Sequence, residues 1–372
     1  MFLHKLLLHD FRLFSQKIIE FEQQVSLIVA PNAGGKSTVL EAIGLLSHGS
    51  SFRAGKVEEM IAFGKEIAQL KAKLVSSKKS IANPNKKDEI DEVQLAVLLT
   101  RGAVNGRRTQ KVHFSVNDNK RRKKDFIGNL ISVVFRPEDM RLIEGSPSRR
   151  REYFDLALVQ INKEYQAALT QYHKYLQRRN RLLSQVKDQE QSRSALTYWN
   201  LGLIKHGEFL QKIRKSFVEF VNSQVKSPLE FQIEYLPSII SEDRINSYLE
   251  KEIAAGFTLV GPHKDDFEVM FVDESLGKAV DKPVSLNSYG SRGQKRMGVL
   301  WLKKAELLFL KKQSGELLLL LLDDILSELD EENRLLALGL VEDGQTIITT
   351  ADPDLISEVK THFSSVQLID LS

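Results

Sequence analysis

The chain has 372 residues, of which 42% are hydrophobic and 27% charged, the composition of an ordinary globular protein and not of a disordered or fibrous one. It contains no cysteine, which excludes disulfides, iron–sulfur clusters and cysteine zinc sites and fits a reducing cytoplasm. The formal charge of +4, from 53 basic and 49 acidic residues, is too small to define a partner; where the charge sits matters more.

The opening MFLHKLLLHDFRLF is interrupted by Lys5, His9, Asp10 and Arg12, so it does not have the apolar core of a signal peptide. No apolar run approaches the ~20 residues of a membrane span. The sequence therefore predicts a soluble cytoplasmic protein. Short β-rich runs over HKLLLHDFRLF and QKIIEFEQQVSLIVA lead into LIVAPNAGGKSTVLEA, residues 27–42. There an apolar strand meets a turn of small residues, and a helix with spacing through Val39, Leu40, Ile43 and Leu46 runs to about Gly49. AQLKAKLVSS and DEVQLAVLLTRG read as paired strands, joined by a polar excursion with an Asn83-Pro84-Asn85 turn. KVHFSVNDNKRRKKDF reads as a further hairpin ending in the basic run Lys120–Lys124.

From about Pro137 the texture is helical. Residues 148–188 form one long helical pattern with a stripe through Leu169, Tyr172, Leu176, Leu183 and Val186, and a second helical stretch covers 195–225. Strand-and-turn texture returns at about Phe257. The chain then gives a helix after Ser291, the buried strand LLLLLLDD, a helix over EENRLLALGLVED and the strand QTIITTADP, an α/β order. The expected organisation is 1–136, a helical lobe at 137–256, and 257–372 returning to the first domain.

Three elements carry chemistry. In the loop Ala30, Pro31, Asn32, Ala33, Gly34, Gly35, Lys36, Ser37, Thr38, small residues before a helix N-terminus let backbone N–H groups approach phosphates. Lys36 would reach the β- and γ-phosphates and Ser37 would hold magnesium. Ala30 and Ala33 stand where glycines are expected; Ala33 costs about 1–2 kcal/mol if its backbone is left-handed. Taken alone, the stretch also suits an ordinary strand-turn-helix. Second, an all-apolar strand ending in two carboxylates suits Asp323 to a metal ion and Asp324 to an attacking water. Third, Ser291-Arg292-Gly293-Gln294 opens a helix whose N–H groups and Ser291 hydroxyl suit an anion, or merely cap the helix. His263–Asp266 reads as ion pairs and caps in preference to a metal site. Arg107, Arg108, Lys111, Lys120–Lys124, Arg149–Arg151, Arg178, Arg179 and Arg181 are candidate contacts to a phosphate backbone or simply solvated charge.

The Ser291–Gln294, Asp323-Asp324 and Ser327–Asp330 segments, in that order after a distant phosphate loop, resemble an ABC-type ATPase head. HDFR (His9–Arg12), LLSHGSSFR (Leu45–Arg53), VVFRPEDMRLIEGSPSRRREYFD (Val133–Asp155), LVGPHKDDFE (Leu259–Glu268) and SYGSRGQKR (Ser288–Arg296) are similar to segments of the RecF family of SMC/Rad50-like ATPases. They span nearly the whole chain in order. The resemblance implies an α/β, ABC-type P-loop ATPase head with an inserted, mainly helical second lobe. It implies ATP and Mg2+ bound by Lys36, Ser37, Asp323 and Asp324. Ser291, Gly293 and Gln294 would act on the nucleotide of a second copy, and Asp330 would reach across the same interface. It implies an ATP-dependent homodimer that clamps duplex and gapped DNA and helps load RecA together with RecR and RecO, in recombinational repair, replication restart and the SOS response. Thr350 stands where a transporter head carries its switch histidine, and Asp324 replaces the usual glutamate; both imply at most a slow ATPase. The rival readings are another DNA-processing ABC-type ATPase, such as a nuclease for which little chain follows Asp330, an importer subunit, and a head that binds DNA without hydrolysis.

Overall fold

A computed structural model of the chain describes residues 2–78, 89–226, 229–272, 283–340 and 344–371. Asn83-Pro84-Asn85, and with it most of the expected hairpin excursion, lies outside them. The fold is α/β, and the chain divides into two compact units. The first comprises Met1–Asp139 and Leu310–Ser372, the second Met140–Phe309.

The first unit has two sheets. One is antiparallel, ordered Phe14–Glu20, Phe2–Phe11, Ile67–Lys78, Glu89–Thr100, Val112–Val116 and Asn119–Arg121. The paired strands expected over AQLKAKLVSS and DEVQLAVLLTRG are therefore present. The other is wholly parallel, ordered Ser132–Phe135, Leu319–Asp323, Gln345–Thr350, Val25–Val29 and Val366–Asp370. Its central strands are buried along their length, which is why they read as unbroken apolar runs instead of alternating ones. The helix Lys36–His48 lies in the core between the sheets, with every residue except Ser37 buried. Gly49 ends it in the left-handed conformation, φ 65°, as the sequence predicts.

The second unit contains helices Pro147–Ile161, Lys163–Lys187, Thr197–Gln224 and Glu242–Ala255, and a three-stranded antiparallel sheet of Gln232–Leu236, Asp266–Phe271 and Val284–Ser285. The single helix expected over 148–188 is two. Asn162 leaves the helical region at φ −125°, ψ 98°, and its side chain caps the second helix by accepting the Tyr165 N–H at 2.8 Å. The expected return to the first domain at 257 also differs from the structure. The described residues of 257–309 pack with the helical unit: Phe267 lies 5.0 Å from Phe154, Phe309 lies 4.7 Å from Phe217, and the Tyr153 hydroxyl donates to the Leu302 carbonyl at 2.7 Å. Phe267, Phe271, Trp301 and Phe309 are buried in that core, a grouping that strand-and-turn texture alone does not reveal.

Buried charges in this unit are fully paired. Arg214 bonds Asp155 and Asp265, each at 2.9 Å. Arg179, with no exposed surface, bonds Glu252 at 2.6 Å. His263 accepts the Tyr172 hydroxyl at Nδ1, 2.7 Å, and donates from Nε2 to the Thr258 carbonyl, 3.1 Å. Burial, aided by nearby cations, pushes its pKa down to about 4. The unfolded chain takes up this proton near pH 6.5, so the contribution is complete above that pH and is lost as pH falls toward 4. On acidification from pH 7.5 to 5 the expected loss is about 2 kcal/mol. Urea unfolding followed by the emission of Trp199 and Trp301, both in this unit, checks it: the pH difference should shrink by that amount in His263→Gln.

Candidate functional site

Three segments of the first unit end at the carboxyl edge of the parallel sheet, where ligands of such sheets bind. The strand Val25–Val29 runs into the loop 30–35, and the strands Leu319–Asp323 and Gln345–Thr350 end beside it, with Asp323 opposite Thr349. The loop is tightly built. Ala33 is left-handed at φ 66° and Gly35 at φ 94°. A Cβ on Gly34 would come within 2.8 Å of the Ala30 Cβ, and one on Gly35 within 2.5 Å of the Phe14 ring. The helix opens at Lys36 with no side-chain cap, which leaves its first amides to a ligand.

The buried Lys36 ammonium donates to the Ala30 and Pro31 carbonyls at 2.7 and 3.1 Å. The Ser37 hydroxyl donates to Asp323 Oδ1 at 2.8 Å, joining residues 286 positions apart. Thr349 ties the two carboxylate residues together: its hydroxyl lies 3.2 Å from Asp323 Oδ1 and accepts the Asp324 N–H at 3.0 Å. Burial raises the Asp323 carboxyl above its ordinary pKa, against the lowering by Ser37 and Thr349. Burial raises Asp324 as well, opposed by the charge of Lys36. A hydroxyl and a carboxylate in contact are hard oxygen donors of the kind magnesium takes, and the cradle around Gly34 and Gly35 suits a polyphosphate. The residues fit both groups.

Residues 32–38 and Asp324 line a cavity of about 760 Å³, within the usual size of small-molecule sites. Its other wall holds Arg12, Arg53 and Arg101 with Leu13, Ile61 and Phe63. Sequence reasoning did not single out these side chains as site residues, although HDFR and SSFR contain two of the arginines. Glu41 positions both: completely buried, it accepts two bonds from Arg12 at 2.9 and 2.7 Å and lies 3.8 Å from Arg53.

The structure brings together the loop residues Ala30–Thr38 with Asp323 and Asp324. Most of the other candidates have hydrogen-bond partners in their own segments. Ser291, Gly293 and Gln294 belong to the second unit, where Ser291 and Gln294 form a reciprocal cap: the Ser291 N–H donates to Gln294 Oε1 at 2.8 Å and the Gln294 N–H to Ser291 Oγ at 3.2 Å. Asp330 caps the helix Glu331–Leu338, accepting the Asn333 N–H at 3.0 Å. Thr350 accepts the Asp352 N–H. Among the basic candidates, Arg150 and Arg179 are buried in ion pairs with Asp266 and Glu252, so they are not backbone contacts. Lys111 pairs with Glu58 and Arg122 with Asp125. Arg107, Arg108, Lys120 and Arg121 are exposed. At His263–Asp266 the structure shows ion pairs, as expected from the sequence.

The model of the RecF/RecN/SMC N-terminal domain matches residues 2–368. The chain is 33% identical over 369 residues to the DNA replication and repair protein RecF of Caldanaerobacter subterraneus subsp. tengcongensis, covering 94% of each. It is 31% identical over 394 residues to the protein of that name from Oceanobacillus iheyensis, covering 100% of this chain and 98% of the other. A solved structure of the recombination mediator protein RecF–ATP in the RecFOR pathway superposes with a TM-score of 0.80 at 29% identity, over 94% of this chain and 92% of that one. Matched over nearly its whole length by the family model and by these relatives, the chain belongs to the RecF family.

Proposed function

We propose that this protein is an ATP-dependent recombination mediator: it binds ATP with Mg2+ at the loop 30–38, pairs with a second copy when nucleotide is bound, and in that state clamps duplex DNA at gaps. The observation that carries this is the Ser37–Asp323 hydrogen bond beneath a loop whose Gly34 and Gly35 leave no room for a Cβ. Lys36 would bind the β- and γ-phosphates, Ser37 and Asp323 would hold Mg2+, and Asp324 would orient water. Bound Mg2+ would neutralise phosphate charge as it develops. In the second copy, Ser291 accepts an N–H within its own cap and so keeps its hydroxyl proton to donate to an anion, at a helix end already favourable to negative charge. The names of the relatives and the RecFOR pathway of the solved RecF–ATP structure support DNA repair as the setting. RecR, RecO and RecA are the partners this reading implies. Thr350 supplies no general base, which favours a slow nucleotide timer over a motor.

Duplex-DNA affinity at fixed salt tests the reading, since phosphate contacts are salt-sensitive. Tight binding is expected only with Mg2+ and a non-hydrolysable ATP analogue, and it should vanish in Lys36→Ala. Equal binding in every condition would overturn it. Two loop variants are expected to move in opposite directions. Gly35→Ala places a Cβ against Phe14 in left-handed backbone, so it should lower the thermal midpoint and remove ATP binding. Ala33→Gly relieves about 1–2 kcal/mol of left-handed strain against about 0.5–1 kcal/mol of added chain freedom. It should therefore raise the midpoint slightly and leave ATP affinity equal or tighter, as calorimetry of both variants would show.

A further inference from the structure

The cavity wall across from the phosphate loop carries a side chain that adds nothing to the core. Phe63 lines the cavity yet is fully exposed, and Leu13, on the same wall, is 56% exposed. Neither sits on a loose segment. The turn that presents Phe63 is held from several sides. The Ala62 N–H donates to the Asp10 carbonyl at 2.8 Å and the Lys65 N–H to the Ala62 carbonyl at 3.1 Å. The Lys65 ammonium lies 3.4 Å from the Asp10 carboxylate, and Arg101 Nε donates to the Lys65 carbonyl at 2.7 Å. Gly64, left-handed at φ 76°, lets the chain fold back directly after Phe63. The turn that presents Leu13 is strained: Asp10 and Arg12 are left-handed at φ 49° and 54°, which costs an ordinary residue about 1–2 kcal/mol. Such strain persists only where the surroundings over-determine it, and here the Met60 carbonyl accepts the Arg12 N–H at 2.9 Å.

Most charged side chains of this wall are already engaged. Arg12 donates to Glu41 and to the Glu59 carbonyl, Glu59 accepts the Gly55 N–H at 3.0 Å, and Glu58 pairs with Lys111. Arg101 holds the turn below Phe63. What the wall offers a ligand is therefore chiefly the apolar surface of Leu13, Ile61 and Phe63, rimmed by charge, the character of a ligand-facing groove. With a triphosphate on the loop 30–38, the remainder of the nucleotide is a sugar and a flat heteroaromatic base. A base gains by stacking on an aromatic ring through its π-face and needs no polar partner to do so. We propose that Phe63 is the platform on which the base of the bound nucleoside triphosphate stacks, so that this residue makes the site prefer a nucleotide to a bare polyphosphate. The inference rests on the ATP-binding reading above and assigns to it a residue outside the phosphate loop and the paired carboxylates.

The test uses the full chain with Mg2+ and compares ATP with inorganic tripolyphosphate, which carries the phosphates and no base. The wild-type protein should bind ATP the more tightly. Phe63→Ala should weaken ATP binding about tenfold, as expected for one lost base stack, with tripolyphosphate affinity and thermal midpoint unchanged. Phe63→Trp should bind ATP as the wild type does. It also places a reporter in the first unit, since Trp199 and Trp301 both belong to the second. Its emission should respond to ATP and not to tripolyphosphate. Unchanged ATP affinity in Phe63→Ala would overturn the proposal while leaving the ATP reading intact, and a protein partner covering Phe63 would give that result. Equal losses for ATP and tripolyphosphate would overturn it too, because Phe63 would then be shaping the phosphate loop. A wild-type protein that binds neither ligand would overturn the ATP reading and this proposal with it.

Discussion

The enclosure of one helix fixes most of what this molecule can do. Lys36–His48 sits between an antiparallel and a parallel sheet with only Ser37 outside the core, so its position cannot drift without disturbing both. A helix buried all round should be apolar all round, yet it carries Glu41, fully buried. A carboxylate there is tolerable only if it is completely paired. The bidentate bond from Arg12 and the hydroxyl of Ser51 at 2.5 Å provide that pairing. The consequence reaches the site: Arg12 and Arg53 stand on the cavity wall because the buried charge of the helix holds them there.

The same enclosure makes the carboxylate geometry a matter of strand register. Asp323 can meet Ser37 because its strand lies two places from the strand that feeds the loop, with only Gln345–Thr350 between them. Thr349, on that intervening strand, has no exposed surface and holds both acidic residues. Asp324 adopts φ 52°, a conformation costing about 1–2 kcal/mol in an ordinary residue, and the Thr349 hydroxyl secures it by accepting its N–H. Strain of this kind persists only where the surroundings over-determine it. Here it turns Asp324 out of the sheet toward the cavity, while Asp323 stays against Ser37.

Much of this was legible in the sequence where the signal is local. The phosphate loop, the apolar strand before Asp323, the Gly49 helix stop and the paired strands each depend on residues within about ten positions of one another. The parts that were not legible depend on distant partners. Nothing near Arg12 indicates that Glu41 will be buried opposite it, and nothing near Thr349 indicates two carboxylates in reach. The break at Asn162 has a local cause, but the helix-forming texture of 148–188 runs on both sides of it and hides the cap. The boundary at 309 escaped notice because strand texture after Phe257 looks alike whether its aromatic residues complete one core or the other.

Charge shows the limit most clearly. Arg178 and Arg179 are adjacent in a single basic tract, and composition treats them as equivalent. On a helix they point about 100° apart, and their fates diverge completely. Arg178 is exposed, whereas Arg179 spends its donors on Asn200 at 2.7 Å, Thr258 at 2.8 Å and Glu252 at 2.6 Å. Burying a guanidinium is tolerable only when its donors are satisfied and its charge is met, so such a residue is a structural rivet and contributes nothing to the protein's outer field. Arg150 and Arg214 are of the same kind. Subtracting them changes how the surface is read: the positive charge that remains outside is smaller than the tracts suggest, and includes Arg107, Arg108, Lys120 and Arg121 of the first unit and Lys174, Arg178 and Arg181 of the second.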